Sequence, residues 1–431
     1  MSNTLCSFPF VHTDIEPNGD IKFCCSAWNN MHRDSNGNLY NITTHTLKEA
    51  WNSDLLKQTR LDLIDGKRPE VCRYCWEMEN ADNTAGNSTR LQAANRRVSI
   101  ESIQDRIEYA RTHNGELDQL AFDFQLSIGN LCNLACKMCN SGYSTQYQKL
   151  YSRFFEKSEN ISFVKGVTVL PDEHLDKQIP FGTTFDWPLH IPLSEIFKDH
   201  VMDLQRIFFT GGEPTLIPQV IEFIEYLASV PHRDDLTMWP STNCTNINRR
   251  LLNALEKFNN IWLNLSLDGM DDIAYIQRTP SNWESIERNV DMLIDWIKDQ
   301  SANPNKHFQL TLISTVTALN LHHITDFWEY FSQRYSERVH FGVSVNLVMH
   351  RGTNFGVEIV PCNVVEELKQ KIKRYNGKYP KHTEYAFEYY KNLLETTNFV
   401  DDYELIHYCL DEVQRIHLDK NIREIYSIYY K

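Results

Sequence analysis

The stretch Asn130–Asn140, NLCNLACKMCN, constrains this chain more than any other, because it sets Cys132, Cys136 and Cys139 at a Cys-x3-Cys-x2-Cys spacing on one short loop. Three thiolates so placed can hold three irons of a four-iron cluster, which leaves the fourth iron open to an external molecule. A structural zinc site draws its ligands as two Cys-x2-Cys or Cys/His pairs, and the x3-x2 triplet is unusual for it. The run just before the loop alternates apolar and polar residues. It reads as a strand with Leu120, Phe122, Phe124 and Leu126 on its apolar side.

Downstream the chain keeps alternating strand and helix patterns. Arg206–Thr210 is strand-like and runs into the turn Gly211-Gly212-Glu213-Pro214, where glycine lets the backbone come close to a ligand and Glu213 offers a carboxylate to an ammonium group. Further strands are predicted at 235–244, 261–269, 308–317 and 339–347, with helices at 248–258, 283–298 and 323–335 between them. With the strand before the triplet, that makes six. Alternation of this kind predicts a parallel α/β sheet whose sites lie at the carboxyl ends of the strands, where Thr242, Asn243, Ser266 and Asp268 fall. Cys244, Cys362 and Cys409 lie at no metal-ligand spacing and read as packed thiols. His322-His323 reads as a cap or as core, and His350-Arg351-Gly352 as a strand-end segment able to touch substrate. From Val364 onward two or three helices end in an aromatic tail that packs on the α/β sheet domain or on a second subunit.

The amino-terminal block carries four further cysteines of interest. Pro17-Asn-Gly-Asp is a turn signal between two strand-like runs, so Cys6 and Cys24 come within reach of each other across a hairpin. An amphipathic helical pattern over 46–66 follows, and then the Cys72-Arg-Tyr-Cys75 knuckle. Cys6, Cys24, Cys72 and Cys75 together supply the ligands of a closed second cluster, or equally of a zinc ribbon. Cys24 and Cys25 are adjacent and point to opposite sides of a strand; Cys24 is taken as the ligand and Cys25 as a packed thiol.

Composition narrows the partners. The net charge of −14 disfavours a nonspecific nucleic-acid surface and an anionic membrane. No apolar run approaches the roughly 18 residues that a bilayer crossing needs. An odd count of 11 cysteines, with no charged-then-apolar signal segment ahead of them, points to a reducing, cytoplasmic setting rather than to disulfides.

On the Cys132–Cys139 triplet and the Gly211–Glu213 turn one strand-helix unit later, the sequence resembles the radical S-adenosylmethionine (radical SAM) superfamily. The Gly19-x4-Cys24 step, the Trp51-Asn-Ser segment and the Cys72/Cys75 knuckle resemble its twitch domain, the shorter form of the SPASM domain, here ahead of the barrel rather than behind it. Met138 stands where the superfamily usually has an aromatic residue. The resemblance implies a partial (β/α)6 barrel over 110–350 with an insertion at about 158–190. A twitch-like auxiliary-cluster domain would occupy 1–95, joined by a polar linker over 80–100, and a helical extension 351–431.

The resemblance also implies that Cys132, Cys136 and Cys139 hold a 4Fe-4S cluster that chelates SAM. Gly211, Gly212 and Glu213 would then lie at the SAM amino group, Asn243, Ser266 and Asp268 near its ribose and carboxylate, and Arg278 would pair with that carboxylate. Cys6, Cys24, Cys72 and Cys75 would hold an auxiliary 4Fe-4S cluster. The implied activity is reductive cleavage of SAM to a 5′-deoxyadenosyl radical that abstracts hydrogen from a peptide or small molecule, with an electron donor such as flavodoxin or ferredoxin as partner. Whether the outcome is oxidation, transfer or isomerisation stays open. The alternatives are a zinc-stabilised interaction protein and a radical SAM-like fold that binds without turnover.

Overall fold

A computed structural model describes residues 4–27, 31–80, 88–91, 98–155, 182–348, 355–399, 403–417 and 419–430. Most of the 158–190 insertion, much of the 80–100 linker and all of His350-Arg351-Gly352 lie outside these residues. Ten strands are present among those described: β1 (His12–Ile15), β2 (Ile21–Lys22), β3 (Asp123–Ser127), β4 (Ala135–Cys136), β5 (Arg206–Thr210), β6 (Thr237–Thr242), β7 (Asn260–Ser266), β8 (Arg278–Thr279), β9 (His307–Val316) and β10 (Phe341–Leu347). The six strands expected from the alternating pattern are β3, β5, β6, β7, β9 and β10. The chain divides into two compact units, the first made of 1–130, 185–240 and 250–260 and the second of 131–184, 241–249 and 261–431.

In the first unit the strand order is β2-β1-β3-β5-β6, parallel except for the antiparallel β1–β2 hairpin. The hairpin turns at Gly19, whose φ of +89° suits glycine, and Asn41 fastens the turn by donating to Asn18 O and Asp20 Oδ1. The segment just after Cys6 was expected to enter the hairpin as strand, but Phe8–Val11 is a helical turn with proline in its first positions, where the ring's fixed φ suits a helix start. Sequence reasoning did not foresee that β1 also pairs in parallel with β3, His12 opposite Asp123 and Ile15 opposite Leu126. One face of this sheet is apolar. Phe124, Leu126, Ile207, Phe209 and Met238 are buried there, with Phe197 and Phe223 of neighbouring helices packed over them. The other face carries Asp123, Gln125, Arg206 and Phe208. On that face His12 Nδ1 lies 3.5 Å and Arg206 Nη1 3.4 Å from Asp123 Oδ2.

The helical pattern over 46–66 resolves into two helices, Leu47–Trp51 and Asp54–Ile64, broken where Ser53 caps the second. This break explains the Trp51-Asn-Ser segment. Trp51 Nε1 donates to Gln119 O and Asn52 Nδ2 to Leu117 O, while Ser53 Oγ meets His32 Nε2 at 2.9 Å, so three consecutive side chains fasten the helices to their surroundings. Arg60 completes the joint. Fully buried, its guanidinium donates to Pro9 O, Trp51 O, Gly115 O and Asn52 Oδ1 and lies over the Trp51 ring. Gly115 must be glycine here, because φ is +80° and a Cβ would lie 2.3 Å from Lys57 O. Arg60→Leu leaves several buried acceptors without a donor and should lower unfolding stability by about 3–5 kcal/mol, read from a denaturant titration. A change below about 1 kcal/mol would refute the role given to this joint.

The second unit contains β7, β9 and β10 side by side, β9 and β10 parallel in register from Leu310–Phe341 to Val316–Leu347. Within their units β2 and β10 each have a neighbour on one side only, so no closed barrel forms among the described residues. The fold is thus a mostly parallel α/β sheet of the open, partial-barrel kind. The carboxyl-terminal helices Cys362–Lys373, Glu384–Thr396 and Tyr403–Ile416 follow it. Cys409 is buried as expected. Cys362 is a correction, exposed at the first turn of its helix, where a small polar-tipped side chain faces outward.

The aromatic tail packs inward. Tyr426 and Tyr429 are buried against His322, and Tyr429 Oη donates to Ala318 O. His322 is therefore core, and burial drives its pKa down to about 3, with His323 and Lys371 acting the same way. The neutral ring is the folded form, whereas an unfolded chain binds a proton below pH 6.5. Stability is present above that pH and is lost as pH falls from 6.5 toward 3, by about 2 kcal/mol at pH 5. The expected result is a denaturation midpoint that drops between pH 7 and pH 5, with a smaller drop in His322→Phe. Equal drops in the two chains would refute it. No helix among the described residues is long and apolar enough to cross a membrane.

Candidate active site

The triplet loop leaves the carboxyl end of β3 and is fastened from both sides within the second unit. The helix Thr145–Phe155 begins beside it. Cys132 N donates to Thr145 Oγ1, which donates back to Cys132 O, and Ser144 Oγ donates to Leu134 O. Ala135 is wholly buried on Tyr147, with Cys139, Leu150 and Ile416 against them. On the other side β4 pairs antiparallel with β8, Ala135 opposite Thr279 and Cys136 opposite Arg278, and Lys137 N adds a bond to Gln277 O. A two-residue strand is too short to show periodicity, so this pairing was not visible beforehand.

Asn133, inside the loop, makes a contact that sequence reasoning missed. Its Oδ1 accepts from Asn243 Nδ2 at 3.1 Å, its Nδ2 donates to Thr245 Oγ1 at 2.8 Å, and Thr245 closes the ring on Asn243 Oδ1. The end of β6 is thus joined to the cysteine loop through three side chains. Ser266 lies at the end of β7 with its hydroxyl 3.3 Å from that of Ser241. Cys244 is buried at φ +60°, a backbone position that favours glycine.

Asp268 and Arg278 meet directly. Arg278 Nε donates to Asp268 Oδ2 at 2.6 Å and its Nη1 lies 3.6 Å from Cys136 Sγ. Burial works against the charged guanidinium, but Asp268 and Cys136 outweigh it and hold Arg278 firmly protonated. Lys137 is buried beside the same thiol, and desolvation brings its pKa down to about 7 against the pull of Cys136. Burial pushes the Cys139 thiol up, and Cys136 and Cys132 add to that rise, which places the three sulfurs within electrostatic reach of one another. A guanidinium held protonated beside Cys136 suits a group that needs that thiol deprotonated.

Gly211-Gly212-Glu213 follows β5 in the first unit. Gly211 has φ +102°, and a Cβ there would come 2.9 Å from Ser127 Cα, so the tightest demand for glycine comes from the neighbouring strand. Glu213 is 2% exposed, and its Oε1 accepts from Thr215 N and Thr215 Oγ1.

The first unit also holds a second thiol cluster. Cys6, Cys24, Cys72 and Cys75 line one pocket walled by Phe8, Phe23, Leu63, Trp76 and Arg90. Cys25 does not; expected as a packed thiol, it is exposed, because the strand ends at Lys22 and Cys25 falls in a surface turn. Burial raises the thiols of Cys6, to about 12, and of Cys72 and Cys75, and Cys24 is raised first by its contact with Cys25 and then by burial. Arg90 was not singled out from sequence. It is held by Glu79 through Nε and Nη2, donates to Leu5 O and lies over Trp76. No cysteine forms a disulfide, and among the described residues no three His, Cys, Asp or Glu groups converge on one ion-sized point. Four thiols around a pocket match the four irons of a cubane, each of which takes one outside ligand.

Residues 126–317 match the family model of the radical SAM superfamily. Residues 6–76 match that of the SPASM domain, described as an iron-sulfur cluster-binding domain. The chain carries a radical SAM domain, with a SPASM domain ahead of it at the amino terminus. A radical SAM domain binds a 4Fe-4S cluster and SAM, and a SPASM domain binds iron-sulfur clusters. No curated protein sequence matches this chain. Solved structures similar to it include SuiB of Streptococcus suis bound to S-adenosylmethionine (16% identity over 66% of this chain and 55% of that one, TM-score 0.33). Others are anSMEcpe with bound AdoMet (19% over 57% of each chain, TM-score 0.33) and SuiB bound to its precursor peptide SuiA (15% over 63% and 51%, TM-score 0.31). The chain thus spans a little over half the length of these neighbours.

Proposed function

We propose that Cys132, Cys136 and Cys139 ligate three irons of a 4Fe-4S cluster whose fourth iron takes SAM, and that Cys6, Cys24, Cys72 and Cys75 fully ligate an auxiliary 4Fe-4S cluster. When bound and reduced, the first cluster supplies the electron that cleaves SAM to a 5′-deoxyadenosyl radical able to take hydrogen from an unactivated carbon. The chain's own part is to bind and orient. Glu213 accepts the ammonium group of SAM at the Gly211-Gly212 turn, Asn243, Ser266 and Asp268 lie near its ribose and carboxylate, and Arg278 pairs with that carboxylate. Arg278 offsets the negative charge of the thiolates. In this reading residues 1–95 form the auxiliary domain, 110–350 the barrel and 351–431 the helical extension. The substrate is a peptide or small molecule in the cytoplasm, and the electron comes from a donor such as flavodoxin or ferredoxin.

The observation that carries this reading is the placement of the cysteines. Seven of the 11 fall into two groups, one on the loop that the radical SAM match covers and one around the pocket that the SPASM match covers. Anaerobic reconstitution tests it. About eight irons and eight sulfides per chain, with 5′-deoxyadenosine formed from SAM under dithionite, is the expected result. Stoichiometric zinc without iron would favour the zinc-stabilised interaction protein, and full iron with no cleavage would favour a non-catalytic binding protein.

A further inference from the structure

The β4–β8 pairing sets the backbone of Cys136 opposite that of Arg278, and the guanidinium then reaches the sulfur, Nη1 donating to Cys136 Sγ at 3.6 Å. That guanidinium is clamped. Its Nε donates to Asp268 Oδ2 at 2.6 Å, and Asp268 is 1% exposed. Asp268 is itself fixed, because its Oδ1 accepts from Thr315 N at 2.8 Å and its main-chain carbonyl accepts from Asn320 Nδ2 at 2.9 Å. Asn320 in turn accepts from Thr317 N at 2.7 Å. The end of β9 therefore fixes Asp268, Asp268 fixes Arg278, and Arg278 presents one N–H to one cysteine.

We infer that Arg278 is a positioning residue of the SAM-binding cluster, donating to the Cys136 thiolate and so setting the potential at which that cluster takes up its electron. The inference rests on Cys136 being an iron ligand, and it goes beyond the pairing of Arg278 with SAM. Reduction adds one electron, supplied by the external donor, and its charge spreads over irons, sulfides and thiolates. A cation and hydrogen-bond donor on a ligating sulfur stabilises the reduced form more than the oxidised one, which raises the potential. Burial keeps the effect from being screened by water and salt. An arginine that serves only the carboxylate of SAM would act only when SAM is present. Arg278 should act without it.

The test is a potentiometric titration of the reconstituted full chain without SAM, followed by electron paramagnetic resonance. The wave that Cys136→Ala removes belongs to this cluster. Arg278→Gln should shift that wave to lower potential, so that at the wild-type midpoint the reduced-to-oxidised ratio falls about tenfold, 59 mV for one electron, while the auxiliary wave stays in place. An unshifted wave in an iron-replete Arg278→Gln chain would overturn the inference. Should that variant lose the cluster, the wild-type chain labelled with 15N-arginine decides. Pulsed spectra of the same wave, reduced and without SAM, should show a 15N coupling, and its absence overturns the inference. If Cys136→Ala keeps all its iron and both waves, the ligand reading beneath the inference is what has failed.

Discussion

Cys136→Ala is expected to abolish 5′-deoxyadenosine formation and to remove about half of the reconstituted iron, since a loop with two remaining thiols cannot hold a cubane and its SAM. Cys136 is the right residue to change. It is the member of the triplet built into β4, opposite Arg278, so its sulfur is the one whose position the β4–β8 pairing fixes. Alanine is compatible with that backbone, and the neighbouring Ala135 already packs there without a longer side chain. Circular dichroism should therefore show a folded chain. Cleavage at the wild-type rate in such a chain would refute the assignment of the loop, and loss of all iron would show that the two sites do not load independently.

Cys72→Ala/Cys75→Ala tests the other site. Both thiols line the amino-terminal pocket, and a fully ligated cluster there offers no open iron to SAM. The double variant should keep about half its iron and still yield 5′-deoxyadenosine from SAM with dithionite, yet lose product formation on the true substrate. Retained turnover would reduce the pocket to scaffolding. Loss of SAM cleavage in a folded double variant would mean that the roles of the two cysteine groups are reversed.

Much of the barrel half was legible because it repeats. Six strand patterns separated by helical ones gave β3, β5, β6, β7, β9 and β10, and the cysteine spacing and the Gly211–Glu213 turn are local signals that survive without knowledge of the fold. What escaped notice depends on partners far away in sequence. Asn133 is unremarkable as an asparagine in a loop until Asn243 and Thr245 come beside it. Arg278 was read as a SAM ligand from its motif, and nothing local reveals that its own Asp268 and Cys136 already hold it. Trp51-Asn-Ser was recognisable as a motif but not explicable, because its acceptors lie at Leu117 and Gln119. Cys362 misled for a simpler reason. A thiol is often buried, and only the docking of its helix decides which side faces water.

The pairing of β1 with β3 bears on how the chain is made. His12 leaves the ribosome about 110 residues before its partner Asp123, which at roughly 5–20 residues per second is a wait on the order of 5–20 s. During that interval the helix Asp54–Ile64, which brings Leu63 to the thiol pocket, lacks the Gly115 carbonyl that Arg60 binds, and Asn52 just ahead of it lacks the Leu117 carbonyl. The four thiols of the pocket are thus synthesised early and their surroundings anchored late. A nascent chain stalled before Ser127 would lack β3, and its four pocket thiols should be more accessible to thiol-reactive probes than those of the full chain.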